Sequence, residues 1–128
     1  MSDINIGDYV TAIYKTGKYI GEITDTRPEH YLVRTLAVLK HPMQGDLHNP
    51  KEIGFGFFHE RKALAFREQA NIPKKMVRAF DDPIPAYEDS LKISIEKLRA
   101  ELVNDDSEWA ILSLKNIEIL EKEYFKNS

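Results

Sequence analysis

The sequence predicts an α+β fold in which a small, strongly bent β-barrel is followed by an antiparallel pair of helices. Three observations carry this expectation. The first half holds short runs of β-branched and aromatic residues, separated by glycines and polar turns. Pro73, Pro83 and Pro85 then gather where the pattern changes. Beyond Pro85 the apolar spacing turns helical and stays so. A chain of 128 residues builds one modest core, divided here into a barrel over residues 1–70 and a helical subdomain over residues 71–128 packed on it.

The first strand is expected over Gly7 to Tyr14, with Val10, Ala12 and Tyr14 on one face. Lys15-Thr16-Gly17-Lys18 supplies a turn with Gly17 at positive φ, and Tyr19 to Thr24 returns as the second strand. Gly21 inside that strand marks a sharp bend or a close backbone approach. After the turn around Pro28, Tyr31 to Leu39 makes a third strand. Its second half is apolar on both faces, so it is covered on both sides. A long loop follows from Lys40 to Gly56, and connections of that length are commonly functional or held down by packing. Two further strands are expected around Phe57–Glu60 and Lys62–Arg67. Five short bent strands with glycine corners suit a small barrel better than an open sheet.

Lys74 to Phe80 reads as a short helical piece between proline breakers. The next helix carries Tyr87, Leu91, Ile95, Leu98 and Leu102 as a single stripe, with Pro85 suited to its first turn. Asp105 and Glu108 resemble a capping box that opens a last helix, Glu108 to Tyr124. Ala110, Leu114, Ile117, Leu120 and Tyr124 share its inner face. Trp109, Leu112 and Ile119 lie off that stripe, as Ile93 does on the preceding helix. These four either pack on the barrel or stay open to a partner or to self-association.

Charge and composition exclude several classes of function. Residues 1–70 hold nine Lys/Arg and nine Asp/Glu, whereas residues 71–128 hold nine against twelve and carry the whole net charge of -3. Neither half has the cationic excess that nucleic acid or anionic lipid rewards. The absence of cysteine removes disulfides, thiolate metal sites, a cysteine nucleophile and a cysteine-borne lipid from these residues, and fits a reducing compartment. The opening Met1-Ser2-Asp3-Ile4-Asn5 has no basic stretch ahead of an apolar run, so a cytoplasmic location is expected.

No constellation of catalytic residues stands out. There is no Gly-x-Ser-x-Gly elbow and no phosphate-cradling glycine loop, and most acidic residues sit at helical spacing beside basic ones. The chain therefore reads as a binding module and not an enzyme, with no cofactor and no metal. His41, Asp46, His48 and His59 are metal-compatible in type, but their spacing is generic and their plainer role is to satisfy loop backbone. Tyr14, Tyr19 and Tyr31, with Lys15, Lys18, Arg27 and Arg34 nearby, define the alternative of a nucleic-acid-binding barrel; the plainer role of these tyrosines is to close the core. Phe55, Phe57 and Phe58 beside His59 and Arg61 have the aromatic and arginine character of an interface.

Several strings are long and unusual: Tyr14-Lys15-Thr16-Gly17-Lys18-Tyr19-Ile20-Gly21, Leu36-Ala37-Val38-Leu39-Lys40-His41-Pro42, Gln44-Gly45-Asp46-Leu47-His48, and Phe57-Phe58-His59-Glu60-Arg61 with Ala63-Leu64-Ala65-Phe66-Arg67-Glu68. Together they closely resemble the kinase-associated protein B family of spore-forming Gram-positive bacteria. The resemblance implies an SH3-like barrel with a helical subdomain. It also implies a non-catalytic accessory role that promotes a membrane sensor histidine kinase, sporulation kinase B, in the phosphorelay that starts sporulation. Contact with that kinase is direct or through another component, and would bring the chain to the membrane. Self-association is left open. The expected partner-binding residues are His41, Gln44, Asp46, His48, Phe57, Phe58, His59, Arg61 and Arg67, chosen for the loop's length and its aromatic content.

Overall fold

A computed structural model describes residues 4–45 and 58–126. The strands are β1 (Tyr9–Tyr14), β2 (Gly17–Thr26), β3 (His30–Lys40), β4 (Gln69–Pro73) and β5 (Val77–Ala79); the helices are α1 (Tyr87–Val103) and α2 (Glu108–Tyr124). The strands form one antiparallel sheet in the order β4-β3-β2-β1-β5. The sheet curls until β4 comes back near β1, without closing through hydrogen bonds. The result is an α+β fold with a barrel-like sheet and a C-terminal helix pair.

The curl has a local cause. Three register shifts interrupt the β2–β3 ladder, between Lys18 and Tyr19, Ile20 and Gly21, and Ile23 and Asp25. Each extra residue bends the strand and adds right-handed twist. Gly21 sits at one of them, where a Cβ would meet the Val33 side chain and the Arg34 carbonyl oxygen, the latter at 2.7 Å. The close approach expected there is what the structure has. The β1–β2 turn differs from expectation, because the positive φ falls on Lys15, at 55°, and not on Gly17. Gly17 is glycine for another reason: a Cβ would stand 2.8 Å from Cζ of Tyr19.

The last two strands are not where the sequence predicted them. Residues 58–65 have no regular secondary structure, and β4 comes later, at Gln69–Pro73. The helical piece expected over Lys74–Phe80 is a single 3-10 turn, Lys74–Met76, running straight into β5. Segments of three to five residues show too little periodicity to declare a type, and pairing with β3 and β1 decides them. The last helix has the expected span and α1 carries the expected stripe, but α1 opens at Tyr87 with Ala86 as its cap, which leaves Pro85 just outside it and not in its first turn. The α2 cap is Ser107 and not Asp105; the Ser107 hydroxyl accepts the Ala110 N–H, while Asp105 accepts the Ser107 N–H from two residues earlier.

Two apolar clusters result. Val10, Ala12, Ile23, Val33, Ile72 and Val77 fill the barrel. Tyr19 and Val38 of the sheet meet Leu91, Ile95, Leu98 and Leu102 of α1 and Trp109, Ala110 and Ile117 of α2 in the second cluster, which lies between sheet and helices. Beyond the end of its β4 pairing, β3 has α1 along that side, and the Ser90 hydroxyl accepts the Val38 N–H at 2.9 Å. This covers Ala37 and Val38, whereas Leu36 is half-buried and Leu39 exposed, so the apolar second half of β3 is covered only in part.

Candidate functional site

The segment from Phe58 to Glu68 lies between the barrel and the helices and meets a strand only at its end, where Arg67 and Glu68 bond the Thr35 backbone of β3, so the backbone polar groups before that point need other partners. Side chains supply them. The Gln44 amide takes the place of a neighbouring strand: its oxygen accepts the Arg61 N–H and its nitrogen donates to the Arg61 carbonyl, both at 2.9 Å. Next to it the Gly45 N–H donates to the His59 carbonyl, and Arg61 Nε donates to the Gly45 carbonyl. Gly45 has φ +96°, and a Cβ there would stand 2.9 Å from the Phe58 ring, so both backbone and packing demand glycine.

Further along, three tyrosines from three elements hold the same segment. Tyr124 of α2 accepts the Ala63 N–H at 2.9 Å, Tyr19 of β2 accepts the Leu64 N–H at 3.3 Å, and Tyr87 at the start of α1 donates to the Leu64 carbonyl. Burial pushes the Tyr19 and Tyr124 hydroxyls up to about 12, with the backbone hydrogen bonds to Leu64 and Ala63 pulling the other way. Burial raises Tyr87 as well. All three stay neutral across the physiological range.

His41 completes the arrangement. Its Nδ1 lies 3.0 Å from the Pro42 carbonyl oxygen, which can only accept, so Nδ1 carries the proton. Nε2 is then the acceptor, and receives the Tyr124 hydroxyl proton at 3.0 Å. The chain Ala63 N–H to Tyr124 O–H to His41 to Pro42 is complete only with a neutral imidazole. Burial holds His41 below its ordinary 6.5, partly offset by the Pro42 hydrogen bond. Trp109 ties α2 to the same place, donating from Nε1 to the Gln44 carbonyl at 3.1 Å.

Beside this segment opens a cleft of about 660 Å³, lined by Tyr14, Tyr19, Tyr87 and Tyr124 with Arg61 and Lys62 at its edge. The expected binding residues divide around it. His41 and Gln44 are buried and act from beneath, while Phe58 and Arg61 are half-buried. His59 and Arg67 are exposed, Arg67 at φ 71° with its N–H anchored on the Thr35 carbonyl. Asp46, His48 and Phe57 lie outside the described residues. The three tyrosines were missed as a group because they lie 68 and 37 residues apart along the chain; Tyr87 and Tyr124 carried a signal only as end members of two helical stripes, and Tyr19 only as one of the tyrosines that close the core.

Two other sequence readings involve residues of this region. Of the four metal-compatible residues, Asp46 and His48 lie outside the described residues, and among those described no three His, Asp or Glu side chains stand close enough to hold a metal ion. Of the tyrosines considered for base stacking, Tyr19 and Tyr31 are buried and Tyr14 is half-buried, so they close cores and do not form a platform. No helix of the described residues is long and apolar enough to cross a membrane.

Comparison with known proteins gives a consistent result. A family model described as "Kinase associated protein B" matches residues 14–125. "Kinase-associated lipoprotein B" of Bacillus subtilis (strain 168) is 57% identical over 125 residues, spanning 98% of each chain. The crystal structure of kinase-associated protein B from Bacillus cereus superposes with a TM-score of 0.82 at 47% identity, covering 95% of this chain and 98% of that one.

Proposed function

The chain belongs to the kinase-associated protein B family, and on that footing we propose that it is a non-catalytic accessory protein that promotes a membrane sensor histidine kinase in the phosphorelay initiating sporulation. The observation that carries this reading is the pinned segment 58–68. A stretch of irregular backbone is held rigid at the surface by Gln44 and three tyrosines, which is how a protein presents a fixed recognition surface without a catalytic group. His59, Arg67 and the exposed Phe66 are the contact residues of this proposal, with Arg61 at the cleft edge. His41, Gln44 and Phe58 support them from within. Asp46, His48 and Phe57 remain proposed contacts on the grounds of sequence alone.

The test is autophosphorylation of the cytosolic part of such a kinase with and without the full chain, run beside a binding titration. Binding with a raised rate is expected. The double variant His59→Ala/Arg67→Glu, checked by circular dichroism for an intact fold, should lose at least tenfold in affinity. A folded variant that binds and activates as the native chain does overturns the assignment of this face. No binding and no rate change with an active kinase overturns direct action. The same preparation titrated with single-stranded DNA and RNA at low salt gives the nucleic-acid alternative its own hearing.

A further inference from the structure

The inner face of α2 is fully used: Trp109, Ala110, Ser113, Ile117 and Leu120 are all buried. Its outer face carries a second pattern that the fold does not need. Glu108, Leu112, Lys115, Ile119 and Lys122 follow the 4-3-4-3 spacing of a helix seam, with Ile111 beside them. Ile111 and Ile119 are 49% and 52% exposed, Leu112 is half-buried, and Glu108, Lys115 and Lys122 are exposed. None of these three charges belongs to an ion pair among the described residues.

We propose that this face is a self-association surface on which a second copy of the chain lays its own α2 antiparallel, about a two-fold axis at Lys115. A two-fold interface must be complementary to itself. In that register Ile111 stands opposite Ile119 of the second copy, and Glu108 opposite Lys122 of the second copy. Symmetry makes each pairing twice. Lys115 meets its own mate on the axis, but Glu118 of the second copy lies within one turn of it and offsets the repulsion. Sliding the helices by four residues either way destroys the match: one slide sets Ile111 against Lys115, the other sets Ile119 against Lys115. The register is therefore chosen by Ile111 and Ile119 together with Glu108 and Lys122, while Leu112 stands at the flank opposite Glu118 of the second copy.

A seam of this length spans about 21 Å and buries less than the roughly 1,200 Å² of a tight complex, so the dimer is weak, with a dissociation constant on the order of 0.1 mM. Sedimentation equilibrium of the full chain from about 10 µM to about 1 mM in low salt reads it directly. The native chain should pass reversibly from monomer to dimer. Lys115→Leu, which removes the like charge at the axis and adds apolar surface, should tighten the dimer at least tenfold. Ile119→Glu should leave a monomer at every concentration. Glu108→Lys should weaken association about fivefold, and E108K/K122E should restore it to within about twofold of native. The restoration is decisive because both reversals oppose the α2 helix dipole, so nothing within the monomer favours the double variant. A native chain and a Lys115→Leu variant that both stay monomeric overturn the proposal. So does a dimer that Ile119→Glu leaves untouched, which would place the contact on another face.

Discussion

Tyr124 shows how much one hydroxyl can hold. It accepts from Ala63 and donates to His41, so removing it leaves a half-buried N–H and a buried imidazole nitrogen without partners. Tyr124→Phe is expected to cost about 1–3 kcal/mol in urea unfolding. His41 makes the same site sensitive to acid. Its folded pKa lies below the unfolded 6.5, so in that interval the unfolded chain binds the extra proton. Stability is therefore complete above pH 6.5 and falls as pH drops below it. The gap in urea midpoint between the native chain and a His41→Gln variant should narrow as pH falls through that window; a gap independent of pH would count against the neutral relay. The tyrosines act at the other end of the scale. Their folded values are raised above 10, so the unfolded chain loses its protons first and stability falls from pH 10 upward to about 12. Absorbance titration should show this group ionising late.

At the scale of elements, each helix carries buried serines, and they differ in their partners. Ser90 joins α1 to β3 by accepting the Val38 N–H and donating to the Tyr87 carbonyl. Ser90→Ala should cost about 1–2 kcal/mol, because Val38 then loses its partner. Ser113 in α2 is buried with no hydrogen-bond partner among the described residues. Ser113→Ala should be neutral or stabilising by up to about 1 kcal/mol, since it removes an unpaired hydroxyl without freeing anything else. Thermal melts of both variants check the contrast. The helices themselves were legible in the sequence, because four or five apolar residues at helical spacing leave one stripe to bury. Strands β4 and β5 were not. Ala70 and Ile72 turn inward only because Arg34 to His30 lie alongside, and no local pattern announces that pairing.

For the whole molecule, the second cluster decides cooperativity. Tyr19 and Val38 of the sheet share it with α1 and α2, so sheet and helices are one folding unit in energy even where sequence composition changes sharply between them. A chain ending at Asn104 loses Trp109, Ala110, Ile117 and the Tyr124 hydroxyl together. Several kcal/mol per buried large side chain is comparable with the entire stability of a domain this size. Such a truncated chain is expected to show no cooperative urea transition, whereas independent folding of sheet and helices would preserve one.

The sequence by itself determined the α+β class, both helices with their inner faces, the first three strands, the close approach at Gly21 and the family. These rest on interactions a few residues long or on whole strings, which a chain records locally. Only the tertiary structure decided where the last two strands pair, which of the expected contact residues are buried, and that three tyrosines and Gln44 hold one irregular segment. Those partners lie tens of residues apart and meet only after the sheet has curled and the helices have docked. Their hydrogen bonds follow from the fold as a whole, because an unpaired segment must satisfy its backbone from whatever side chains folding brings within reach.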